Sequence, residues 1–145
     1  MELSRETRIV AGVTLLTVPT IMYGGATLLG ILTQGGAGLP PPGDLSLNET
    51  QWALWRAGHA HAGVWVILSL VMQLLIDGAR LPGSLIWPAR LGAPIGAVAV
   101  SGGFFGLAYF PAFQWLLYIG GLSLFIALVL TGAGLLRNLK APRRL

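Results

Sequence analysis

Four apolar stretches, residues 9–33, 52–76, 91–110 and 112–136, decide most of what this chain can fold into. A helix rises 1.5 Å per residue, so about 20 residues cross a hydrocarbon core of roughly 30 Å. Each stretch reaches that length. Lipid offers no hydrogen bonds to a free amide or carbonyl, so a spanning segment is a helix or part of a closed barrel. A barrel requires alternating segments of about ten residues, and none is present. Composition agrees: 10% of residues are charged and 54% hydrophobic, against roughly 25% and 45–50% in soluble domains. The expected fold is all-α, an integral membrane four-helix bundle occupying residues 1–145 as a single domain.

The connections follow the same logic. Gly35-Gly36-Ala37-Gly38 and the prolines after it are turn formers between the first two spans. The run Ser46-Leu47-Asn48-Glu49 reads as a capping box opening the second helix. Gly78, Pro82, Gly83 and Pro88 predict a second loop over residues 77–90, and Pro111 a tight turn that makes the last two helices antiparallel neighbours. Pro19 and Pro94 fall inside spans, where they bend a helix. The net charge of +4 is no nucleic-acid signature, because the basic residues flank the apolar segments. Arg5, Arg8, Arg80, Arg90, Arg137, Lys140, Arg143 and Arg144 share one side of the four-span arrangement and only Arg56 lies toward the other. The positive-inside rule then puts both termini in the cytoplasm of a bacterial inner membrane. The first apolar run is longer than a signal-peptide core, so the first helix is expected to stay in the mature protein. With no Cys, disulfides and thiolate metal sites are excluded. No phosphate-binding loop, HExxH or G-x-S-x-G motif is present, and no acid falls in a predicted span.

The one unusual constellation opens the second span. Arg56, His59 and His61 are ionisable groups in an apolar run, where such groups are costly and mark functional sites. His59 lies seven residues in from Trp52, a depth of about 10 Å. Two residues apart on a helix means roughly 200° apart, so His59 and His61 cannot chelate one ion from a regular helix. Arg56, Gly63 and Gln73 share the His59 face, which is small and polar and is expected to look into the bundle. Leu54, Trp65, Leu68 and Met72 share the His61 face, expected to meet another helix, another subunit or lipid. By depth, Tyr23, Thr27 and Thr33 of the first helix, Tyr109 of the third and Gln114 and Tyr118 of the fourth are candidate partners of His59, with Asp44 or Glu49 above them.

Three roles are open for these residues. They are polar groups that pin helix packing in a structural or assembly subunit. Or His59, His61 or both bind haem or copper, with Arg56, Gly63 and Tyr23 around the site and neighbouring glycines making room for a macrocycle. Or they belong to a proton or solute path, for which imidazole is suited, although few polar residues continue it across the inner half.

Arg56-Ala57-Gly58-His59-Ala60-His61-Ala62-Gly63 and the apolar run after it resemble a segment of small uncharacterised bacterial four-helix membrane proteins. More distantly they resemble the His-bearing helix of haem-copper oxidase subunit I-like proteins, with a fainter match around Met22-Tyr23-Gly24-Gly25. The resemblance implies that His59 or His61 occupies the position of a haem ligand. It does not imply oxidase activity, which needs more histidines than the two present. A bis-His haem would need its second ligand from another copy or subunit, so the expected partners are the lipid bilayer and a homo-oligomer or other membrane subunits.

Overall fold

The computed structural model describes residues 2–38 and 46–138. Among them the chain forms four long helices: α1 (Arg5–Leu32), α2 (Glu49–Gly78), α3 (Gly83–Leu107) and α4 (Gln114–Asn138), with one 3-10 turn, Pro111–Phe113, before α4. All four are long and apolar enough to cross a membrane. The expected partners at Asp44 and the basic tail from Lys140 lie outside the described residues.

The helix ends correct several expected boundaries. α1 begins at Arg5 because Ser4 caps it, its hydroxyl accepting from the Thr7 amide at 3.1 Å. α2 is opened by Asn48, whose side chain accepts from the Gln51 amide at 2.9 Å while Gln51 Oε1 accepts from the Asn48 amide at 3.1 Å. The capping box therefore starts two residues later than the serine suggested. α2 runs on to Gly78, which brings Asp77 into a helix. The expected 77–90 loop shrinks to a few residues, since α3 starts at Gly83 and absorbs Trp87, Pro88 and Arg90.

The four helices are not equivalent. α3 and α4 share the largest interface, α2 packs on α3 and touches α4, and α1 leans mainly on α2 and has no contact with α4 among the described residues. The α3–α4 seam is built from glycine. A Cβ on Gly96 would sit 2.8 Å from the Gly120 carbonyl oxygen, and one on Gly120 would sit 2.8 Å from the Val100 amide nitrogen. Backbones approach this closely only where side chains are missing. Met72, Ile76, Ala89, Ala93, Val100, Leu124 and Ala127 form the buried cluster between α2, α3 and α4, with Trp65 and Leu68 against it. The apolar His61 face of α2 is thus the face turned to the core. With α1 attached along one side only, a cleft is left between α1 and α3.

At the end of the fold that carries the N-terminus, a polar network ties α1, α2 and α3. Arg90, 4% exposed, donates to Asp77 Oδ1 at 2.5 Å, Thr7 Oγ1 at 2.6 Å and Ser4 Oγ at 3.2 Å. Ser4 donates its amide to Asp77 Oδ2 at 3.1 Å and its hydroxyl to Oδ1 at 2.8 Å. The expected flanking charge is therefore an interior ion pair. Gln73 joins it for a reason visible in the sequence. Pro94 has no N–H to offer the carbonyl four residues back, which is that of Arg90. Gln73 Nε2 supplies the missing donor at 2.8 Å. Gln73 is fully buried, and its own backbone carbonyl accepts from Thr7 Oγ1 at 3.2 Å.

Candidate functional site

The two histidines part company as their spacing requires. His59 turns to α1 and His61 to α3. Gly24 and Gly25 make room for the first: a Cβ at Gly25 would lie 3.0 Å from both Cε1 and Nε2 of His59. His61 Nδ1 is 2.7 Å from the Ala57 carbonyl, placed to donate to it. Its ring packs on Phe104 with centroids 4.8 Å apart, and 6.1 Å from Trp65.

The other expected site residues distribute unevenly. Arg56 is exposed and does not look into the bundle. The His59 face is narrower than the sequence suggested, because α1 covers only part of it. Gly63 lies beside His59, with nothing within 4 Å of a Cβ built there. Tyr23 is 76% exposed and Tyr118 63% exposed, so neither walls the His59 site. Thr33 and Gln114 are exposed as well. Among the described residues the polar chamber expected at that end of the helices is not assembled.

What the structure assembles lies deeper. A cavity of about 450 Å³ fills the cleft between α1 and α3 over the floor of α2. Its walls are mostly apolar, with Val13, Ile21, Ala62, Val66, Val98 and Phe105 among them. Six polar side chains also line it: Thr14, Thr17, Thr20, His59, Ser69 and Ser101. Four of the six are satisfied within their own helices. Thr14 donates to Val10 O at 2.8 Å, Thr17 to Thr14 O at 2.7 Å, Thr20 to Thr17 O at 2.6 Å and Ser69 to Trp65 O at 2.7 Å. His59 makes no hydrogen bond to another described residue, and Ser101 Oγ is buried without a partner. A buried hydroxyl left unpaired costs about 1–3 kcal/mol, which makes Ser101 the anomaly of this region. It escaped the sequence reading because a lone serine beside Gly102 and Gly103 looks like small-residue packing.

A second apolar groove of about 670 Å³ shares Val13, Thr14, Pro94, Val98 and Gly102 with the cavity as lining residues and reaches Trp87 and Leu91. Among the described residues no Asp, Glu, Lys or Arg side chain lines either space.

A haem fits the two histidines differently. The Cε1–Nε2 edge of His59 lies against α1 at Gly25, so a macrocycle coordinated through Nε2 would occupy the space of that helix. His61 meets the donor requirement better, since a metal-binding imidazole characteristically gives its other N–H to a carbonyl. Among the described residues no three His, Cys, Asp or Glu side chains gather as a metal-binding group. Comparison with protein families, curated proteins and solved structures finds no match to this chain.

Proposed function

We propose that this chain is an integral membrane protein that crosses the bilayer four times with both termini in the cytoplasm, and that the cavity beside His59 binds a small neutral molecule dissolved in the membrane. The observation that carries the binding site is the 450 Å³ cavity within the spanning length of α1, α2 and α3, a size typical of small-molecule sites with apolar walls and few polar groups. The clustering of Arg5, Arg8, Arg80 and Arg137 at one end supports the orientation. Outward apolar residues such as Ile119, Leu122 and Phe125 meet lipid or neighbouring subunits of a larger membrane complex, to which the chain is an accessory component.

Two measurements test this reading. The chain has no Cys, so Thr50→Cys and Arg80→Cys each create a unique label site. In intact spheroplasts an impermeant maleimide should modify position 50 and spare position 80; the reverse pattern refutes the topology. Native mass spectrometry of protein extracted from its membrane should find a copurifying neutral molecule that is lost from Ala62→Phe, which sets a ring on the cavity floor. Equal ligand content in both forms refutes the site.

A second reading, haem ligation, is favoured by the Nδ1 hydrogen bond of His61. His61 would hold the iron, and the group would supply one-electron transfer. A Soret band in the purified protein, lost on His61→Ala and kept on His59→Leu, is the expected result. A colourless preparation after growth with added haem precursor defeats this reading.

A further inference from the structure

We infer that the middle of α1, residues 15–27, is a lateral gate. Pinned at both ends, it flexes at Pro19 between the cavity on its α3 side and a second cleft on its other flank, and so opens and closes the cavity to the bilayer. The inference rests on the proposed bilayer crossing and cavity site, and adds how that site is reached.

α1 is held at its ends and not between them. At its N-terminal end Ser4 and Thr7 bond Asp77, Gln73 and Arg90, and Thr7, Val10 and Thr14 are buried. At its C-terminal end Leu28, Gly30 and Ile31 are buried. No residue between Thr14 and Leu28 is buried, a stretch of about 20 Å. The rest of the bundle differs. α2, α3 and α4 share one buried cluster, and the α3–α4 seam has no room for a Cβ at Gly96 or Gly120. α1 packs mainly on α2 and barely meets α3. Local motion concentrates where buried apolar contacts are fewest, which here is the middle of α1.

Space and backbone both allow the movement. On its α3 side the stretch faces the 450 Å³ cavity through Thr17, Thr20, Ile21 and Gly24. On its other flank Val18, Ile21, Met22 and Gly25 face a cleft of about 320 Å³ formed with α2 alone, against Gly63, Ile67 and Leu70. His59 and Val66 line both spaces and form the narrow seat on which the helix rests. A displacement of α1 toward one space enlarges the other. The backbone supplies the flexure. Pro19 has no N–H to offer the Leu15 carbonyl. At Pro94 the equivalent carbonyl is held by Gln73, but no side chain of the described residues donates to that of Leu15. The turn at Pro19 therefore bends without breaking a hydrogen bond to another helix. Around it Thr17 and Thr20 donate to carbonyls of their own helix at 2.7 and 2.6 Å, contacts of the kind that bend helices.

The chain has no Cys, so spin labels attach only where cysteines are introduced. Leu16, Val64 and Ile119 are exposed apolar residues of α1, α2 and α4, and none lines either space, so labels there leave both clefts free. Double electron–electron resonance is measured on the full chain in lipid nanodiscs. The pair Leu16→Cys with Ile119→Cys should give a distance distribution roughly twice as wide as the reference pair Val64→Cys with Ile119→Cys, as expected of one helix shifting against a fixed core. Pro19→Ala should narrow it to the reference width. Ala62→Phe, on the cavity side, should leave only its longer distances, and Gly63→Phe, on the other flank, only its shorter ones. Equal widths for the two pairs, in protein that retains its helical circular dichroism, overturn the gate. So does a broad distribution that Pro19→Ala and both fillings leave unchanged. Native mass spectrometry of the same Ala62→Phe protein separates gate from site. Loss of the copurifying molecule with a narrow, unmoved α1 overturns the gate and leaves the site standing. A distribution that responds as expected, in a protein whose ligand content Ala62→Phe does not alter, overturns the site and with it the gate's role there.

Discussion

The pairing of Gln73 with Pro94 offers a direct test of how this fold holds together. Proline at 94 removes the amide that would have bonded the Arg90 carbonyl, and Gln73 donates to that carbonyl at 2.8 Å from a fully buried position. Gln73→Met keeps the length and bulk of the side chain and deletes the donor. The Arg90 carbonyl is then unsatisfied in a region water does not reach, and the weak contact from Arg90 Nη1 to Gln73 Oε1 at 3.4 Å is lost as well. An orphaned buried acceptor costs about 1–3 kcal/mol, and hydrogen bonds between membrane helices average about 0.6 kcal/mol with a maximum near 1.7. A loss of roughly 2 kcal/mol is expected for the single variant. In a Pro94→Ala background the backbone amide restored at that position bonds the same carbonyl through the helix. There Gln73→Met should cost about 1 kcal/mol less. Unfolding of the four proteins by sodium dodecyl sulfate in mixed micelles, followed by tryptophan fluorescence, gives the coupling energy, and the cycle cancels whatever Pro94→Ala does by itself. Additivity within about 0.3 kcal/mol would show that Gln73 does not serve the carbonyl that proline frees.

The same unfolding assay checks three further expectations. Breaking the Arg90–Asp77 pair, whose side chains are 5% and 11% exposed, by Arg90→Met or Asp77→Leu alone should cost about 3–5 kcal/mol, while the double variant costs well below the sum because no charge is left unpaired. Gly96→Val should destabilise by at least about 1–3 kcal/mol, since its Cβ would meet the Gly120 carbonyl at 2.8 Å; Gly121→Ala, with open space at its Cβ, should stay within about 0.5 kcal/mol. Asn48→Ala removes the cap of α2 and should cost about 1 kcal/mol; an unchanged midpoint would mean that the box is dispensable.

Helix number and type were legible without coordinates, because length and apolarity leave a spanning segment few options. So was the divergence of His59 and His61, which follows from 100° per residue. Pro19 and Pro94 lie inside helices as expected. Which face of α2 meets which neighbour was not legible. The rule that polar faces look inward holds for His59, which α1 covers, and for the buried Gln73, and fails for the exposed Arg56, while the opposite face of α2 also meets protein at Met72. Tyr23 was placed by depth alone, which does not give rotation about the helix axis, and Arg56 by its share of the His59 face, which does not say how far along that face α1 reaches. Arg90 was read by charge as a boundary residue, yet its partners Ser4, Thr7, Gln73 and Asp77 come from two other segments up to 86 residues away.

The sequence alone thus determined what each segment had to be, since a run of some twenty apolar residues must satisfy its backbone within itself. Only the tertiary structure decided where the segments leave space. α1 touches α2 but not α4 among the described residues, and that asymmetry opens the cleft in which His59 and Ser101 stand without partners. No local pattern encodes it, because the packing of one helix against another depends on side-chain shapes from distant parts of the chain meeting at a single register.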